Sequence, residues 1–226
     1  MSERDIVAAV KTSGGTSGDE IFYSFVTLGQ EDDITKATAI LDLGCGKGLF
    51  GEFINRRFNK LIDGVDIIHY DNFQSQYYEQ FILLNLEQIP ENEITKKYDL
   101  IFVIGVIEHL ENPRLFIRSA SKLLAPNGKI ILVAPNPLSL SSLGSLVGRG
   151  QFSFFLERCS PGSITPVLPI DALRMIKEAG LSLVSLDYSN KGRLPLTHSW
   201  SYQKVFPFFK GRFFSDHYRV LAKLST

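Results

Sequence analysis

Short apolar runs alternate with stretches of helical periodicity along most of the chain. The runs are rich in Val, Ile and Leu and are continuous rather than alternating in polarity, which is typical of strands buried on both faces of a parallel sheet. Seven runs predict strands, over residues 39–43, 61–67, 81–86, 98–104, 129–134, 181–188 and 218–224. Apolar positions at helical spacing predict helices over residues 19–28, 49–58, 113–124 and 171–179. This alternation predicts an α/β fold with a doubly wound, Rossmann-like sheet.

Two long segments interrupt the alternation. Residues 135–169 are rich in Ser, Gly and Leu, and residues 190–217 mix aromatic with basic side chains. Connections of this length are uncommon unless they are functional or contain local helices. We therefore expect one domain over residues 1–226, in which 135–169 and 190–217 are insertions on the substrate side. We expect both to gather with an N-terminal helical extension, residues 1–36, at one end of the sheet.

Composition narrows the classes of function. Lys and Arg together number 24, as do Asp and Glu, and this neutral balance gives no support to broad nucleic-acid binding. Cys45 and Cys159 form no metal-binding spacing, and two lone thiols favour a reducing compartment. The N-terminus has no signal-peptide core, and no apolar run reaches the roughly 18 residues that cross a bilayer. We expect a cytoplasmic protein without a metal site.

A glycine-rich stretch, LDLGCGKGLF, joins the first predicted strand to the helix that follows it. Such a turn brings backbone N–H groups and a helix N-terminus close to a ligand. The glycines at positions 44, 46 and 48 have the spacing GxGxG. This spacing fits neither the phosphate-binding P-loop nor the dinucleotide pattern GxGxxG.

Two carboxylates next to this loop indicate the charge of the ligand. Asp42 precedes Gly44 by two residues, so on an extended strand both point the same way. A carboxylate there repels a pyrophosphate and attracts an ammonium group. Asp66 ends the second predicted strand, where an acid accepts hydrogen bonds from ribose hydroxyls. A ligand with a ribose and a cationic or zwitterionic tail meets both requirements, and S-adenosylmethionine has both.

The combination of Asp42, the three glycines and Asp66 resembles the class I S-adenosylmethionine-dependent methyltransferases. The stretches YDLIFVIGVIEHLENP (98–113) and LLAPNGKIILVAPN (123–136) are similar to the fourth and fifth strand regions of that family. They are most similar to its small-molecule branch, which includes ubiquinone-pathway O-methyltransferases. The resemblance covers residues 37–136. It implies a seven-stranded, mostly parallel sheet whose last strand is antiparallel, with S-adenosyl-L-methionine as methyl donor and S-adenosyl-L-homocysteine as product.

The resemblance also implies which residues contact the methionine half of the cofactor. Gly44, Cys45 and Gly46 would line the methionine portion, and Asp42 would lie near its amino group. Gly105, just past the fourth strand, would lie under the methionine end.

Four further residues are implied at the nucleoside half. Asp66 would bind both ribose hydroxyls, and Ile67 would lie against the adenine. Asn85 and Leu86 occupy the position where the family places an aspartate and a neighbour that touch adenine. Asn85 departs from that pattern, although an amide can still accept a hydrogen bond from the adenine amino group.

The chemistry needs little from the protein besides alignment of donor and acceptor and exclusion of water. A general base is required only where the acceptor begins protonated, as a hydroxyl does. His109 follows the fourth strand at the carboxyl edge of the sheet and is the candidate base. The alternative is that Glu108 and His109 begin a helix and support the turn.

The acceptor pocket should come from the two insertions. Aromatic residues among basic ones can face a membrane surface, an anionic lipid-linked acceptor or nucleic acid. The alternative is a packed cap over the last strands. In the segment 190–217 the aromatic side chains are Trp200, Tyr202, Phe206, Phe208, Phe209, Phe213 and Phe214.

The favoured function is methyl transfer to a small or lipid-linked metabolite, with oxygen as the favoured atom. An RNA or other macromolecular methyltransferase is a second hypothesis, disfavoured by the neutral charge and by IGVIEH at the place of an Asn-Pro-Pro-Tyr type motif. A non-catalytic S-adenosylmethionine-binding partner protein is a third. A NAD-dependent oxidoreductase is disfavoured by the glycine spacing and by Asp42.

Overall fold

One sheet of seven strands organises the computed structural model, which describes residues 18–90, 92–156, 162–194, 201–205 and 209–225. The strands are β1 Ile40–Leu43, β2 Ile62–Asp66, β3 Tyr78–Leu83, β4 Tyr98–Ile104, β5 Leu124–Pro135, β6 Leu181–Tyr188 and β7 His217–Leu224. Their order is β3-β2-β1-β4-β5-β7-β6. Neighbouring strands from β3 to β5 are parallel, and β7 runs antiparallel to both β5 and β6. The expected α/β, Rossmann-like sheet with an antiparallel last strand is confirmed.

Helices connect the strands and carry the extension and the insertions. They are α1 Glu20–Val26, α2 Glu31–Lys36, α3 Leu49–Phe58, α4 Pro113–Ser121, α5 Leu140–Arg149, α6 Pro169–Glu178 and α7 Tyr202–Val205. Helix α3 coincides with its prediction. Helix α4 ends earlier than predicted because β5 begins at Leu124. Helix α5 lies inside the insertion 135–169, so this long connection does contain a local helix.

Two strands, β3 and β5, differ from their sequence-based bounds by more than one residue. Strand β3 begins at Tyr78 rather than residue 81, because Tyr78 pairs with Ile62 at the start of β2. Strand β5 begins before residue 129 because the stretch that looks like a turn is an irregularity within the strand. Asn127 has a positive φ of 65°, and the pairing with β4 shifts there.

Apolar side chains form one cluster on each face of the sheet. Leu41 and Leu43 belong to the cluster that packs under α4 and α6, whereas Ile40 belongs to the cluster under α1 and α3. Because successive residues of a strand point to opposite faces, Asp42 points to the same face as Ile40. The carboxyl group of Asp42 therefore lies in the layer between β1 and α3.

The N-terminal extension is fastened to the end of the sheet by Arg219. This arginine on β7 is 3% exposed and donates hydrogen bonds to the carbonyl oxygens of Phe25, Val26 and Leu28, at 3.2, 3.2 and 2.7 Å. It also forms an ion pair with Asp187 at 3.1 Å. The guanidinium thus caps the C-terminus of α1. Within the described ranges no helix has the length and apolar character that would let it cross a membrane.

Candidate functional site

The loop between β1 and α3 depends on glycine at three positions. Gly44, Gly46 and Gly48 have φ values of 83°, 54° and 82°, a left-handed conformation that other residues rarely adopt. The loop is anchored to β2, since the N–H groups of Gly44 and Cys45 donate to the carbonyl oxygen of Val65 at 2.7 and 3.1 Å. The remaining backbone of the loop forms the cradle at the carboxyl edge of the sheet.

The loop after β4 lies against this cradle. A side chain at Gly44 would collide with Val106, so glycine is also required for close approach. Gly105, with φ of 65°, donates its N–H to the carbonyl oxygen of Val133 at 2.9 Å. The structure thus brings the β4 loop and the glycine loop together at one edge. The contact of Gly105 with the methionine end stays a prediction.

A connecting segment between β2 and β3 closes over the other side of the loop. The N–H of Gln74 donates to the carbonyl oxygen of Lys47 at 3.0 Å. A side chain at Gly48 would lie 2.9 Å from Tyr78 and 3.0 Å from Phe73. Residues 73–78 are therefore a wall of the site that the sequence did not reveal.

Asp66 lies at the end of β2 and reaches the glycine loop. Its side chain is 6% exposed and accepts hydrogen bonds from the N–H groups of Gly46 at 2.8 Å and Ile68 at 3.1 Å. Burial raises the pKa of Asp66, and the backbone hydrogen bonds together with His109 oppose that shift. Each carboxylate oxygen has a further lone pair for a ligand hydroxyl. The ribose contact itself stays a prediction.

Asp42 lies beneath the loop rather than open at the strand end. It is 1% exposed, and its Oδ2 accepts a hydrogen bond from the Tyr78 hydroxyl at 2.9 Å. Burial raises the pKa of Asp42 to about 7, the Tyr78 hydrogen bond lowers it, and Asp66 raises it further. Burial, with Asp42 and Asp66, also raises the pKa of the Cys45 thiol. A cationic group in the site would stabilise the ionised forms of Asp42, Asp66 and Cys45.

The residues implied at the adenine occupy two different environments. Ile67 is half-buried directly after β2, whereas Leu86 is 7% exposed and packs into the apolar cluster under α4. The Asn85 Oδ1 accepts a hydrogen bond from the N–H of Glu87 at 3.0 Å, which forms a local turn. The amide oxygen of Asn85 would therefore have to accept from adenine and from the Glu87 N–H at the same time. The contacts of these three residues with adenine stay predictions.

His109 ends a single turn of 3-10 helix, Ile107–His109, after β4. Its Nδ1 lies 2.7 Å from the carbonyl oxygen of Gly162. The backbone carbonyl of Glu108 accepts from the N–H groups of Ile164 and Thr165 at 2.8 and 3.0 Å. The insertion is therefore fastened around His109 at its C-terminal end. This contact supports the turn, as the alternative interpretation requires, and it also orients the ring.

The carboxyl group of Glu108 points into the protein. The residue is 5% exposed, and burial raises its pKa against the opposing effect of His109. Its Oε2 is buried without a hydrogen-bond partner in the part of the chain that the structure describes. Glu108 thus adds a third buried acid, beside Asp42 and Asp66, near the carboxyl edge of the sheet.

The extension and both insertions meet at His217. The His217 ring lies 5.0 Å from the ring of Phe22 in α1 and 5.3 Å from that of Phe154 in the first insertion. The Arg193 guanidinium, from the second insertion, lies 4.3 Å from the Phe154 ring centre. His217 pairs with Pro135 at the carboxyl end of β5. These contacts bring the described parts of the three segments together beside the carboxyl end of β5. That the two insertions form the substrate side stays a prediction.

Several residues noted in the sequence lie outside the described residues. They are Cys159, Trp200, Phe206 and Phe208. Among the residues that are described, no group of three or more His, Cys, Asp or Glu side chains could hold a metal ion.

Comparisons with known proteins agree on one family. A family model described as a methyltransferase domain matches residues 28–186. The ubiquinone biosynthesis O-methyltransferase of Acinetobacter baylyi is 28% identical over 174 residues, 71% of this chain and 70% of that protein. The mitochondrial ubiquinone biosynthesis O-methyltransferase of Dictyostelium discoideum is 30% identical over 124 residues, 48% of this chain and 39% of that protein.

The fold is shared with solved structures at lower identity. A SAM-dependent methyltransferase from Archaeoglobus fulgidus matches with a TM-score of 0.63 and 19% identity, over 91% of this chain and 95% of that chain. This likeness shows a shared fold, and the family is shown by the sequence match over residues 28–186.

Proposed function

Because the chain belongs to the methyltransferase-domain family, we propose that it transfers the methyl group of S-adenosylmethionine to a hydroxyl oxygen of a small or lipid-linked metabolite. The observation that carries this proposal is the set of buried acids around the glycine loop. Asp42 and Asp66 lie at the ends of neighbouring strands, and neither is neutralised by a hydrogen-bonded cation among the described residues. A cationic ligand with a ribose would supply a positive charge near Asp42 and hydroxyl donors for Asp66.

The residues around the loop fit this cofactor, whose sulfonium supplies an activated methyl group when it is bound. Asp42 attracts the ammonium group of the amino-acid end, and the backbone of Gly44, Cys45 and Gly46 follows the methionine chain. Gly105 has no side chain that would obstruct this end from the β4 loop. These contacts hold the donor in one orientation.

The nucleoside end is held by the segment after β2 and the segment after β3. Asp66 accepts hydrogen bonds from the ribose hydroxyls while it keeps the N–H groups of Gly46 and Ile68. Ile67 would lie against one face of the adenine, and Asn85 and Leu86 would border its edge. The cofactor would therefore be held by residues at the carboxyl ends of four neighbouring strands, β3, β2, β1 and β4, where such folds bind ligands.

His109 takes the proton of the acceptor hydroxyl at Nε2. A carbonyl oxygen can only accept, so the Gly162 carbonyl selects the tautomer with the proton on Nδ1. Nε2 then carries the lone pair of the neutral ring and can act as base. The acceptor oxygen must lie in line with the bond between the methyl carbon and sulfur of the donor. Because the Gly162 contact holds the His109 ring, it also determines where the acceptor can be deprotonated.

The relatives support the choice of acceptor. The Acinetobacter baylyi and Dictyostelium discoideum proteins are named as O-methyltransferases of ubiquinone biosynthesis. We therefore propose a hydroxyl-bearing aromatic metabolite with an apolar tail as the acceptor. The segments that meet at His217 would form its pocket, because they are the parts of the chain added beyond the alternating strands and helices.

We further propose peripheral contact with a membrane surface through the insertions. Helix α5 exposes apolar side chains, with Val147 90% and Leu146 37% exposed, and Phe213 is 46% exposed. The two elements adjoin, since the N–H of Leu140 donates to the carbonyl oxygen of Phe213 at 2.8 Å. A lipid surface would supply an apolar acceptor directly to this end of the sheet.

Methyl transfer and cofactor binding test the proposal together. Calorimetry with S-adenosylhomocysteine and with NAD identifies the cofactor. Transfer of labelled methyl groups is then compared between a short-chain prenylated catechol and RNA. We expect the protein to bind S-adenosylhomocysteine and not NAD, and to transfer methyl groups to the catechol. Transfer to RNA alone would favour the macromolecular alternative, and binding without transfer to either would favour a non-catalytic partner protein.

A further inference from the structure

The Tyr78 side chain connects three elements beneath the glycine loop. From the start of β3 its hydroxyl lies 2.9 Å from Asp42 Oδ2 on β1 and 3.1 Å from the backbone N of Gly51 on α3. The ring fills the space next to two glycines, Gly51 and Gly64, where a larger residue would need room for its side chain. A side chain at Gly64 on β2 would lie 2.8 Å from the ring, and one at Gly51 would collide with it.

The direction of these hydrogen bonds is fixed by chemistry. The Gly51 N–H can only donate, so the Tyr78 oxygen accepts there and its single proton is directed at Asp42. Tyr78 is 7% exposed, so the ring cannot turn away without disturbing its neighbours. The Asp42 carboxyl is thereby held through one oxygen, in a fixed orientation relative to the first turn of α3.

Packing alone does not explain this arrangement. A phenylalanine would fill the same space, and burial of a carboxyl group costs free energy that an apolar side chain would not. The titratable groups that face Asp42 are Asp66, Cys45, Tyr23 and Tyr78, all of which are neutral or negative. The arrangement keeps a negative group ready beneath the loop, where a positive group of a ligand would stabilise it.

We propose that Tyr78 is a positioning residue for the cofactor, which holds the Asp42 carboxylate toward the ammonium group at the amino-acid end. This proposal rests on the role given to Asp42 in the proposed function. It predicts that the Tyr78 hydroxyl matters for the amino-acid end of the cofactor and not for its nucleoside end.

Two ligands separate these ends. S-adenosylhomocysteine carries both, whereas 5′-methylthioadenosine has the nucleoside and the thioether but no amino acid. In Tyr78→Phe we expect calorimetry to show about tenfold weaker binding of S-adenosylhomocysteine, the effect of one hydrogen bond to a charged group, and binding of 5′-methylthioadenosine within about twofold of the unchanged protein. Tyr98→Phe is the matched control, because it removes the same kind of hydrogen bond, from a buried tyrosine to Asp63 Oδ2 at 2.9 Å, at the opposite end of the sheet. It should change neither affinity.

The pH dependence of binding gives a second readout. The Tyr78 hydrogen bond favours ionised Asp42, so its loss should move the rise in S-adenosylhomocysteine affinity to higher pH. An equal loss for both ligands, or no loss for either, would overturn the role of Tyr78. A thermal melt of Tyr78→Phe verifies that the variant is folded.

Asp42→Asn distinguishes failure of this proposal from failure of the proposed function. If Asp42→Asn weakens S-adenosylhomocysteine selectively and Tyr78→Phe does not, only the role of Tyr78 is wrong. If Asp42→Asn weakens both ligands equally, the placement of Asp42 at the amino-acid end is wrong, and the role of Tyr78 falls with it.

Discussion

The His109 ring and the Gly162 carbonyl are joined by a hydrogen bond of 2.7 Å, which ties the turn after β4 to the first insertion. This bond makes two roles for His109 separable, because a variant can keep the donor and lose the base. The Asn side chain presents an N–H near the position of Nδ1 but has no counterpart of Nε2. The Ala side chain has neither.

We predict that His109→Asn and His109→Ala both lower kcat for methyl transfer by about 10²-fold or more, the usual contribution of a general base. Cofactor affinity should stay close to that of the unchanged protein in His109→Asn. Stopped assays with labelled cofactor, at saturating donor and acceptor, measure the effect. Activity that survives in His109→Asn and is lost in His109→Ala would show that the histidine only supports the turn.

We predict that Asp66→Ala weakens S-adenosylhomocysteine binding by about 1–3 kcal/mol, because hydrogen bonds between a carboxylate and two ribose hydroxyls are lost. Calorimetry measures the change. Asp66→Asn serves as a partial control, since its amide oxygen can still accept from the Gly46 N–H that the native side chain binds at 2.8 Å. An unchanged affinity in Asp66→Ala would place the ribose elsewhere.

Ionisation of Asp42 should make the stability of the fold fall as pH rises from about 4 toward 7. Burial raises the pKa of Asp42 from 3.8 to about 7, and it raises those of Asp66 and Glu108. At these acids the folded protein binds more protons than the unfolded chain, so the stability that they contribute below pH 4 is lost as pH passes the folded pKa. His217 acts in the opposite direction, because burial lowers its pKa from 6.5 to about 4. The Asp42 contribution is therefore the difference between the unchanged protein and Asp42→Asn. For Asp42 the loss is on the order of 4 kcal/mol. Urea unfolding at several pH values measures it.

Asp42→Asn removes this titration and should flatten the Asp42 contribution, so that the stability of the variant relative to the unchanged protein rises between pH 4 and 7. Bound cofactor should flatten it as well, because its ammonium group favours the ionised carboxylate. If the slope between pH 4 and 7 were the same in Asp42→Asn as in the unchanged protein, the group that titrates there would be another acid.

Much of the fold could be predicted because its elements are bounded by strong local signals. Strand β4 is a continuous apolar run that ends at Gly105, and α3 follows directly on the glycine loop, so both were placed at their observed bounds. Helix α2 is not predicted from the sequence, because EDDITK has a single apolar position and therefore no repeat of apolar residues at helical spacing. Ile34 alone buries its side chain against the sheet face under α1 and α3.

The candidate site was predictable only in part. Asp42, Asp66 and the glycines have a spacing that carries chemical meaning along the chain. Tyr78 has none, because its contact with Asp42 depends on the pairing register of β2 and β3. The only trace in the sequence is the pair of glycines, Gly51 and Gly64, that make room for its ring. A contact between residues far apart in the sequence is visible there only indirectly, as small residues where the partner side chain needs space.

We predict that Arg219→Met destabilises the protein by about 1–3 kcal/mol, the cost of leaving buried acceptors without their charged donor. The carbonyl oxygens at the end of α1 would lose this donor, whereas the Asp187 carboxylate would keep the Ser185 hydroxyl at 2.7 Å and its access to solvent. Arg118→Met is the matched control, because that arginine is exposed and its surface ion pair with Glu178 is worth about 0–1 kcal/mol. Hydrogen exchange should show α1 opening first in Arg219→Met. Loss of stability without faster exchange in α1 would contradict this account.

We predict that Val147→Asp weakens association with vesicles of anionic lipid, because it places a charge on the most exposed apolar residue of α5. Leu61→Asp is the matched control: Leu61 is 44% exposed and directly precedes β2, at the opposite end of the sheet. Cosedimentation with vesicles measures binding, and assays with a water-soluble acceptor measure methyl transfer. Val147→Asp should reduce cosedimentation several-fold and leave transfer to the soluble acceptor unchanged. Equal cosedimentation of both variants and the unchanged protein would show that α5 and Phe213 form only a cap over the last strands.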